Sequence, residues 1–446
     1  MTQYGETSVM RTGYVPRVVI VGGGFGGLYA ARGLARAPVQ VTIVDRHNYH
    51  LFRPMLYQVA TGLLSADEIA APIRSILRKQ KNADVQMAAV TGVDIPNQLV
   101  RTIDGRLHYD YLILATGINY NYFGHEEWKD VAPGLDSVDE ADRIRGKILL
   151  AFERAERLAA NGNASSEEVK GLLRFVLVGG GTAGVEMAGT IAEMARLALR
   201  GDFRHIDPSK AHIILCEAGT RILPTYPETL SKKAEDHLKR LGVDVWTNSK
   251  VEQVDSGGAV VNGQRVRSPT VLWSAGVVAS PAGQWLNAEL DRAGRVRVNP
   301  DLSVPGHNNI FAIGDTAAVV AHSRNLFGLR SDQPELLPGV AQPAIQEGKY
   351  VASVIWRRML GRKPPAPFCY WDKGSLAIVG RTFAVADLRP FRFSGPLAWL
   401  LWIGIHIYFL IGFANRLLVM LQWGISFWTK RRGVRIFPLD RGETDD

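Results

Sequence analysis

Two short stretches of this chain of 446 residues have the residue types and spacing needed to grip a diphosphate. The first is Gly22-Gly-Gly-Phe-Gly-Gly27, with Gly26 inside it. It follows the apolar run Arg17–Val21 and leads into an Ala/Leu/Arg helix pattern that reaches about Arg36. The second is Gly179-Gly-Gly-Thr-Ala-Gly184, which follows Arg174–Val178 and leads into an apolar-periodic helix ending near Arg200. After each, the next apolar run closes on an acid, Asp45 in one case and Glu217 in the other. One such loop is a weak signal; strand, glycine turn, helix, strand and acid, occurring twice, is a strong one. Gly22 and Gly179 permit the tight turn, Gly24 and Gly181 let the backbone approach a pyrophosphate, and Gly27 and Gly184 bring helix and strand together. Each helix then presents free N–H groups and the positive end of its dipole to the phosphates.

The terminal acid is placed to accept hydrogen bonds from a ribose. A carboxylate at Glu217 would also repel a 2′-phosphate, which favours NADH over NADPH at the second loop. The elements that must position these loops are legible too. Tyr111-Leu-Ile-Leu-Ala-Thr-Gly117 reads as a buried strand ending in small residues, and Thr270–Gly276 is its counterpart after the second loop. Val138 to Ala160 reads as a helix ending at Asn161-Gly162, and Ile310–Asp315 as a strand ending in Gly-Asp. Residues 323–339 read as a loop. The fold class is α/β, with two Rossmann-like dinucleotide-binding domains plus a C-terminal membrane-anchoring helical segment.

Composition narrows the chemistry further. The chain is 46% hydrophobic and 21% charged, enough core-forming material to exclude global disorder. Its 45 glycines show no collagen-like period. Two cysteines, Cys216 and Cys369, cannot make a CxxC redox pair, a cysteine zinc site or an iron–sulfur cluster, and no metal is expected. The first 16 residues lack an apolar core and a cleavage pattern, so they read as a flexible tail rather than a signal peptide. A net charge of +9 points to an anionic partner.

Three further groups could do chemistry, and pattern alone leaves each open. Gln342 and Gln346 lie four apart on one helix face, with Pro343 suiting the first helical position and Gln342 the N-cap. A plain polar helix face explains them equally well. Glu186, Thr190 and Glu193 form a stripe at helical spacing that would more simply be a solvated face. Lys373, before Gly374, could be an exposed turn charge.

With these motifs in view, the chain resembles the two-dinucleotide-binding-domain flavoproteins, and within them the type II (non-proton-pumping) NADH:quinone oxidoreductases. The match is carried also by His50-Leu-Phe-Arg-Pro-Met-Leu-Tyr-Gln-Val-Ala-Thr-Gly62, Ala115-Thr-Gly117, Gly181-Thr-Ala-Gly-Val-Glu186, Phe311–Asp315, Ala341-Gln-Pro-Ala-Ile-Gln-Glu-Gly348 and Asp372–Ala377. It runs from about Arg17 to Pro438. The resemblance implies tightly bound FAD on Gly22, Gly24, Gly26, Gly27, Asp45, the Val90 backbone, Thr116, Gly117, Asp315 and Gln342. It implies NADH as substrate on Gly179, Gly181, Gly184 and Glu217. It gives Glu186, Gln342, Gln346 and Lys373 catalytic roles, Glu186 through hydrogen bonding or proton relay. Two electrons would pass as hydride from NADH to FAD and on to a lipid quinone (ubiquinone or menaquinone), without proton pumping. One departure is Glu347, where many relatives carry a second glutamine. The implied domains are a FAD-binding domain at 17–171 and 301–370, an NADH-binding domain at 172–300, and a membrane-association region at 371–446. Family members are peripheral, monotopic proteins of the cytoplasmic face of the cell membrane and often dimeric, so a homodimer is one implied arrangement. A sulfide:quinone-type flavoprotein and a non-catalytic NADH-binding membrane sensor are the rival readings.

The last region supports the membrane expectation independently. Leu397–Phe413 is almost wholly apolar but is broken by Asn415 and Arg416, slightly short for a span. A pair of interfacial helices fits better, with Trp399, Trp402, Trp423 and Trp428 near head groups and Lys430, Arg431, Arg432 and Arg435 on anionic lipid. This favours a membrane surface over nucleic acid as the anionic partner.

Overall fold

Val18 to Val21 are buried at every position rather than at alternate ones, as expected of a strand covered on both faces. In the computed structural model, which describes residues 13–429 and 432–436, this strand is central to a six-stranded sheet. It pairs in parallel with Gln40–Asp45 on one side and Tyr111–Leu114 on the other. Ala83–Met87 continues the sheet beyond the former and His307–Ala312 beyond the latter, with Ser303–Val304 closing that edge antiparallel. Strand order therefore reverses at Arg17–Val21, and the glycine loop opens from its carboxyl end, where such sheets bind ligands.

The chain divides into two compact units, the first made of residues 13–50, Pro72–Ile118 and Ala279–Asp372. Of the expected tail, residues 1–12 lie outside the described residues. Within the remainder, Tyr14 donates to Asp110 at 2.7 Å and the Pro16 carbonyl accepts from Gln40, so residues 14–16 are tied to the sheet. The glycine helix Phe25–Gly33 ends sooner than the Arg36 read from the pattern. It packs against Ala341–Met359 at unusually close range: a Cβ on Gly348 would lie 2.3 Å from the Gly26 carbonyl oxygen. The longer helix is capped by extended Val340, which corrects the N-cap role expected of Gln342. Gln342 and Pro343 occupy the first turn, where a proline is tolerated because those N–H groups have no intrahelical acceptor. Residues 323–339 are not wholly loop either. Val320–Arg324 pairs with Glu335–Leu336 and with Cys369–Trp371.

The second unit comprises Leu51–Ala71, Asn119–Val278 and the described residues from Lys373 onward. Its four-stranded parallel sheet repeats the first pattern, with Arg174–Val178 between His212–Cys216 and Thr270–Trp273, and Val243–Trp246 outermost. The helix Val138–Leu158, N-capped by Ser137, belongs here and not with the first glycine unit, where the sequence division at residue 171 placed it. It turns out through Gly162 at φ 90°. The described C-terminal region clusters with this unit as well. Its antiparallel sheet (Ser375–Ile378, Ala384–Asp387, Arg392–Gly395) and the helices Pro396–Phe409 and Phe413–Thr429 are part of this unit.

The last helix is inverted relative to a water-facing one. Val419 and Ser426 are buried, while Leu418, Leu421, Ile425 and Trp428 are exposed, Trp428 to 85%. Its polar groups are spent on the protein: Asn415 donates to the Asp67 carbonyl at 3.1 Å and Trp423 to Gln58 at 2.8 Å. Arg416, which interrupts the apolar run in sequence, caps the carbonyls of Tyr408 and Leu410 at the end of the preceding helix. Two expectations are corrected. Trp402 is only 1% exposed and stacks on His406 at 3.9 Å, so it is core and not a head-group anchor. Arg432 is buried and donates to the Thr61 and Thr190 carbonyls, and Arg435 pairs with Asp202, so neither is free for lipid. Lys430 and Arg431 lie outside the described residues. None of the described helices is long and apolar enough to cross a membrane.

Replacing Gly348 by alanine should destabilise the first unit by about 1–3 kcal/mol through overpacking against the Gly26 carbonyl. Chemical denaturation would measure it, and an unchanged midpoint would show that the two helices are free to separate.

Candidate functional site

Each glycine loop is held by the acid that closes the neighbouring strand. Asp45 accepts from the N–H groups of Gly23 at 2.6 Å and His47 at 2.8 Å. Glu217 accepts from Gly180 and Gly219, both at 2.6 Å. A carboxylate accepting two such bonds is fixed in orientation while its remaining lone pairs stay available to ribose hydroxyls. The division of labour among the glycines is visible in what a side chain would meet. A Cβ on Gly27 or Gly184 would come within 1.9 Å of the carbonyl oxygen of Gly22 or Gly179. On Gly24 or Gly181 it would meet nothing within 4 Å. The first pair therefore serves helix–strand packing, and the second leaves open space over the helix N-terminus. Gly26 packs on Ile313. These residues fit a dinucleotide diphosphate at both loops.

In the first unit the loop is joined by Thr116 and Gly117. Thr116 hydrogen-bonds to Ser280, and Gly117 donates its N–H to Thr316 at 2.8 Å. Asp315 sits in the turn Gly314–Thr316 and lines a pocket with Arg295, Gly339, Val340, Pro343 and Glu347. Val90 opens a separate three-stranded sheet by pairing with Thr102. Two groups to which the sequence assigned no role belong here. Glu347 is buried and accepts from the Gly314 N–H at 2.5 Å; burial, with the nearby charge of Asp315, pushes it up to about 8. His50 meets the Gly23 carbonyl at 2.9 Å through Nδ1, while buried Nε2 has no partner. Burial holds the imidazole below its usual range and hence neutral, so Nδ1 donates and Nε2 is an acceptor awaiting a donor. Both residues lie inside motifs visible in the sequence, but no local pattern marks either as buried.

Gln342 and Gln346 do share a helix, but Gln346 is committed to the backbone. Its amide bonds both the carbonyl and the N–H of Trp371, at 3.0 and 2.9 Å, and so clamps the end of the strand Cys369–Trp371. Gln342 lies half-buried in the first turn.

In the second unit the stripe Glu186, Thr190, Glu193 is buried throughout, so it is not a solvated face. Among the described residues Glu186 meets the Ile378 N–H at a long 3.5 Å, and burial raises its carboxyl well above the usual range. Glu193 accepts from the Arg381 N–H at 2.8 Å, and burial raises it to about 7. Tyr57, also buried, accepts from Gln58 at 2.9 Å; burial and then the charge of Glu186 hold its hydroxyl protonated. Lys373 lies over the Phe409 ring, 5.4 Å from its centroid. Cys216 is buried, which pushes its thiol up to about 12 and keeps it protonated, while Cys369 is half-buried on the strand Cys369–Trp371. Among the described residues no cluster of three or more His, Cys, Asp or Glu could hold a metal ion.

Comparison with known proteins agrees with this arrangement. Residues 16–348 match the family model for pyridine nucleotide-disulphide oxidoreductases, and residues 372–432 match the NDH2 C-terminal domain. The chain is 45% identical to the type II NADH:quinone oxidoreductase Ndh of Mycobacterium tuberculosis, over 94% of this chain and 89% of that protein. It is 32% identical to the type II NADH:quinone oxidoreductase of Haemophilus influenzae, over 85% of this chain and 88% of that protein. The solved structure of NDH2 from Plasmodium falciparum in complex with NADH superposes with a TM-score of 0.82 at 22% identity, covering 94% and 99% of the two chains. The sulfide:quinone oxidoreductase of Aquifex aeolicus, at a TM-score of 0.68 and 17% identity over 96% and 100% of the two chains, shares the fold. With a duplicated glycine-loop unit, an NDH2 C-terminal domain and relatives at 45% and 32% identity over most of its length, the chain belongs to the type II NADH:quinone oxidoreductase family.

Proposed function

We propose that this chain is a FAD-dependent NADH:quinone oxidoreductase that passes two electrons from NADH to a lipid quinone. The observation that carries this reading is the pair of acid-anchored glycine loops, joined in one chain to the NDH2 C-terminal domain. FAD, when bound, supplies the two-electron chemistry that links the nicotinamide to the quinone. The protein's own task is binding, orientation and proton supply. The first loop, Asp45, Thr116, Gly117 and Asp315 hold FAD, with the Val90 backbone contributing. Gln342, in the first turn of its helix, presents N–H groups and the positive dipole end to negative charge. The second loop and Glu217 hold NADH. Glu186, kept protonated by burial, is a hydrogen-bond donor and proton relay, and Lys373 is a nearby cation. No step pumps protons.

Anchoring follows from the inverted last helix. Each exposed large apolar side chain transferred to lipid contributes roughly 1.5–3 kcal/mol, against about 1 kcal/mol for each basic residue at an anionic surface. With Arg432 and Arg435 already engaged by the protein, apolar contact dominates. The protein is a peripheral, monotopic one of the cytoplasmic membrane face. A homodimer suits the family, and the quinone is ubiquinone or menaquinone.

Anaerobic titration of the purified protein should bleach a bound-flavin absorbance with NADH and restore it with a short-chain quinone. A colourless protein, or a band that NADH leaves unchanged, would overturn the reading. NADH should be preferred to NADPH, and Glu217→Gln should raise NADPH kcat/KM relative to NADH by about ten-fold, as removal of a single charge repulsion predicts. Equal use of both cofactors by the native enzyme would dismiss this role for Glu217. High-salt washing should leave the protein on membranes and detergent should release it. Release by salt alone would contradict apolar anchoring.

A further inference from the structure

Glu193 is a second buried carboxylate that the reading above leaves without a role. It follows Glu186 by seven residues on the helix Thr182–Glu193, about 10.5 Å along the axis and on the same face. Its immediate surroundings are built around it. Gly380 leaves room for the carboxylate, since a Cβ there would lie 2.7 Å from Oε1, and the next residue, Arg381, donates its backbone N–H to that oxygen. The Arg381 guanidinium turns away to the Ser426 and Phe427 carbonyls at the end of the last helix, at 3.2 and 2.7 Å. Arg432 returns from beyond that helix and donates to the Thr190 carbonyl at 2.7 Å, one turn before Glu193.

Arg432 is the unusual member. It is buried, and its hydrogen bonds to Thr61 and Thr190 end on neutral carbonyls. A buried cation without a hydrogen-bonded anion is costly. The largest compensating charge acting on it is that of Glu193. The remaining groups on the packed elements are Tyr57, Tyr226, His237, Asp387, and Arg145 with its partner Asp142. Burial raises both tyrosines and lowers His237 to about 4, which leaves all three uncharged near pH 7. Glu193 is thus a group on this face whose charge can change there, beside the buried cation of Arg432 that acts on it.

We infer that Glu193 is a proton-relay carboxyl that re-supplies the Glu186 side of the site during quinone reduction, and that Arg432 is the positioning residue that sets its charge. This rests on the NADH:quinone reading. The reaction NADH + H⁺ + quinone → NAD⁺ + quinol draws one proton per turnover from water. Once Glu186 has given its proton to the reduced quinone, the O–H bond of Glu193 breaks and a new O–H bond forms on the Glu186 carboxylate, with water carrying the proton over the roughly 10.5 Å between them. The resulting carboxylate, balanced by Arg432, then takes a proton from water. Both electrons come from NADH and end on the quinone.

The test uses the full-length flavoenzyme and its Glu193→Gln, Arg432→Met and Arg432→Lys variants. In the native enzyme, quinone kcat/KM should fall as pH rises through about 7, because Glu193 loses its proton there. Glu193→Gln should lose about ten-fold or more in quinone kcat/KM, as for removal of a proton-transfer group. It should also lose that alkaline limb, with a smaller change in kcat/KM for NADH. Arg432→Met removes the balancing cation, so the limb should move to higher pH, and Arg432→Lys should restore it. Infrared titration supplies a readout independent of turnover: native minus Glu193→Gln difference spectra should isolate a protonated-carboxyl band that disappears near pH 7, apart from that of Glu347, which disappears near 8. An unchanged pH profile in Glu193→Gln, or persistence of that band, would overturn the inference. Should Arg432→Met not fold, Glu193→Gln decides alone. If the native protein reduces no quinone, the NADH:quinone reading fails and the relay falls with it, while the infrared titration still shows separately whether Glu193 exchanges its proton near neutral pH.

Discussion

A carboxylate hydrogen-bonded to the backbone of a glycine loop is the interaction on which both nucleotide sites depend. The loop must stay open over a helix N-terminus, with no side chain to fill the space and its N–H groups turned toward a ligand. Left alone, so flexible a segment would sample many conformations. Asp45 and Glu217 remove that freedom through bonds of 2.6 Å to Gly23 and Gly180. The same side chains are the ones placed to receive a ribose. One group therefore orders the loop and stands where a ribose hydroxyl would be received.

In the second unit, burial keeps ordinary acids protonated. On one helix, Glu186 and Glu193 occupy positions that pattern alone would give to solvent. The tertiary fold covers that face with Tyr57, the turn containing Arg381 and the segment containing Arg432. Removing water disfavours the charged carboxylate, so its proton is held at a pH where an exposed glutamate would have lost it. Glu347 in the first unit follows the same rule beside Gly314. The C-terminal helices use burial in the opposite sense. Their polar residues turn inward to carbonyls and to Gln58, and many of their large apolar residues are left outside, the arrangement expected of interfacial helices.

The duplicated loops, their flanking strands, the closing acids and the apolar terminus could all be read along the chain, because each depends on neighbours a few residues away. Glycine spacing and strand periodicity are local properties. Less legible were the residues whose surroundings come from afar. Gln346 looked free to meet a ligand, yet its amide is used by Trp371, twenty-five residues on. Arg432 looked like part of a basic surface cluster, yet it reaches the carbonyls of Thr61 and Thr190 inside the unit. Trp402 looked like an interfacial anchor and is core.

By itself, then, the sequence determined the two dinucleotide-binding units, their order and the character of the last helices, since covalent spacing along a strand or helix dictates those patterns. Only the tertiary structure decided which polar groups are buried, which are already paired, and which acids keep a proton near neutral pH. The physical reason is that solvation and hydrogen-bond partnership are properties of a place in space, supplied by segments far apart in the chain, and no local pattern of residues encodes them.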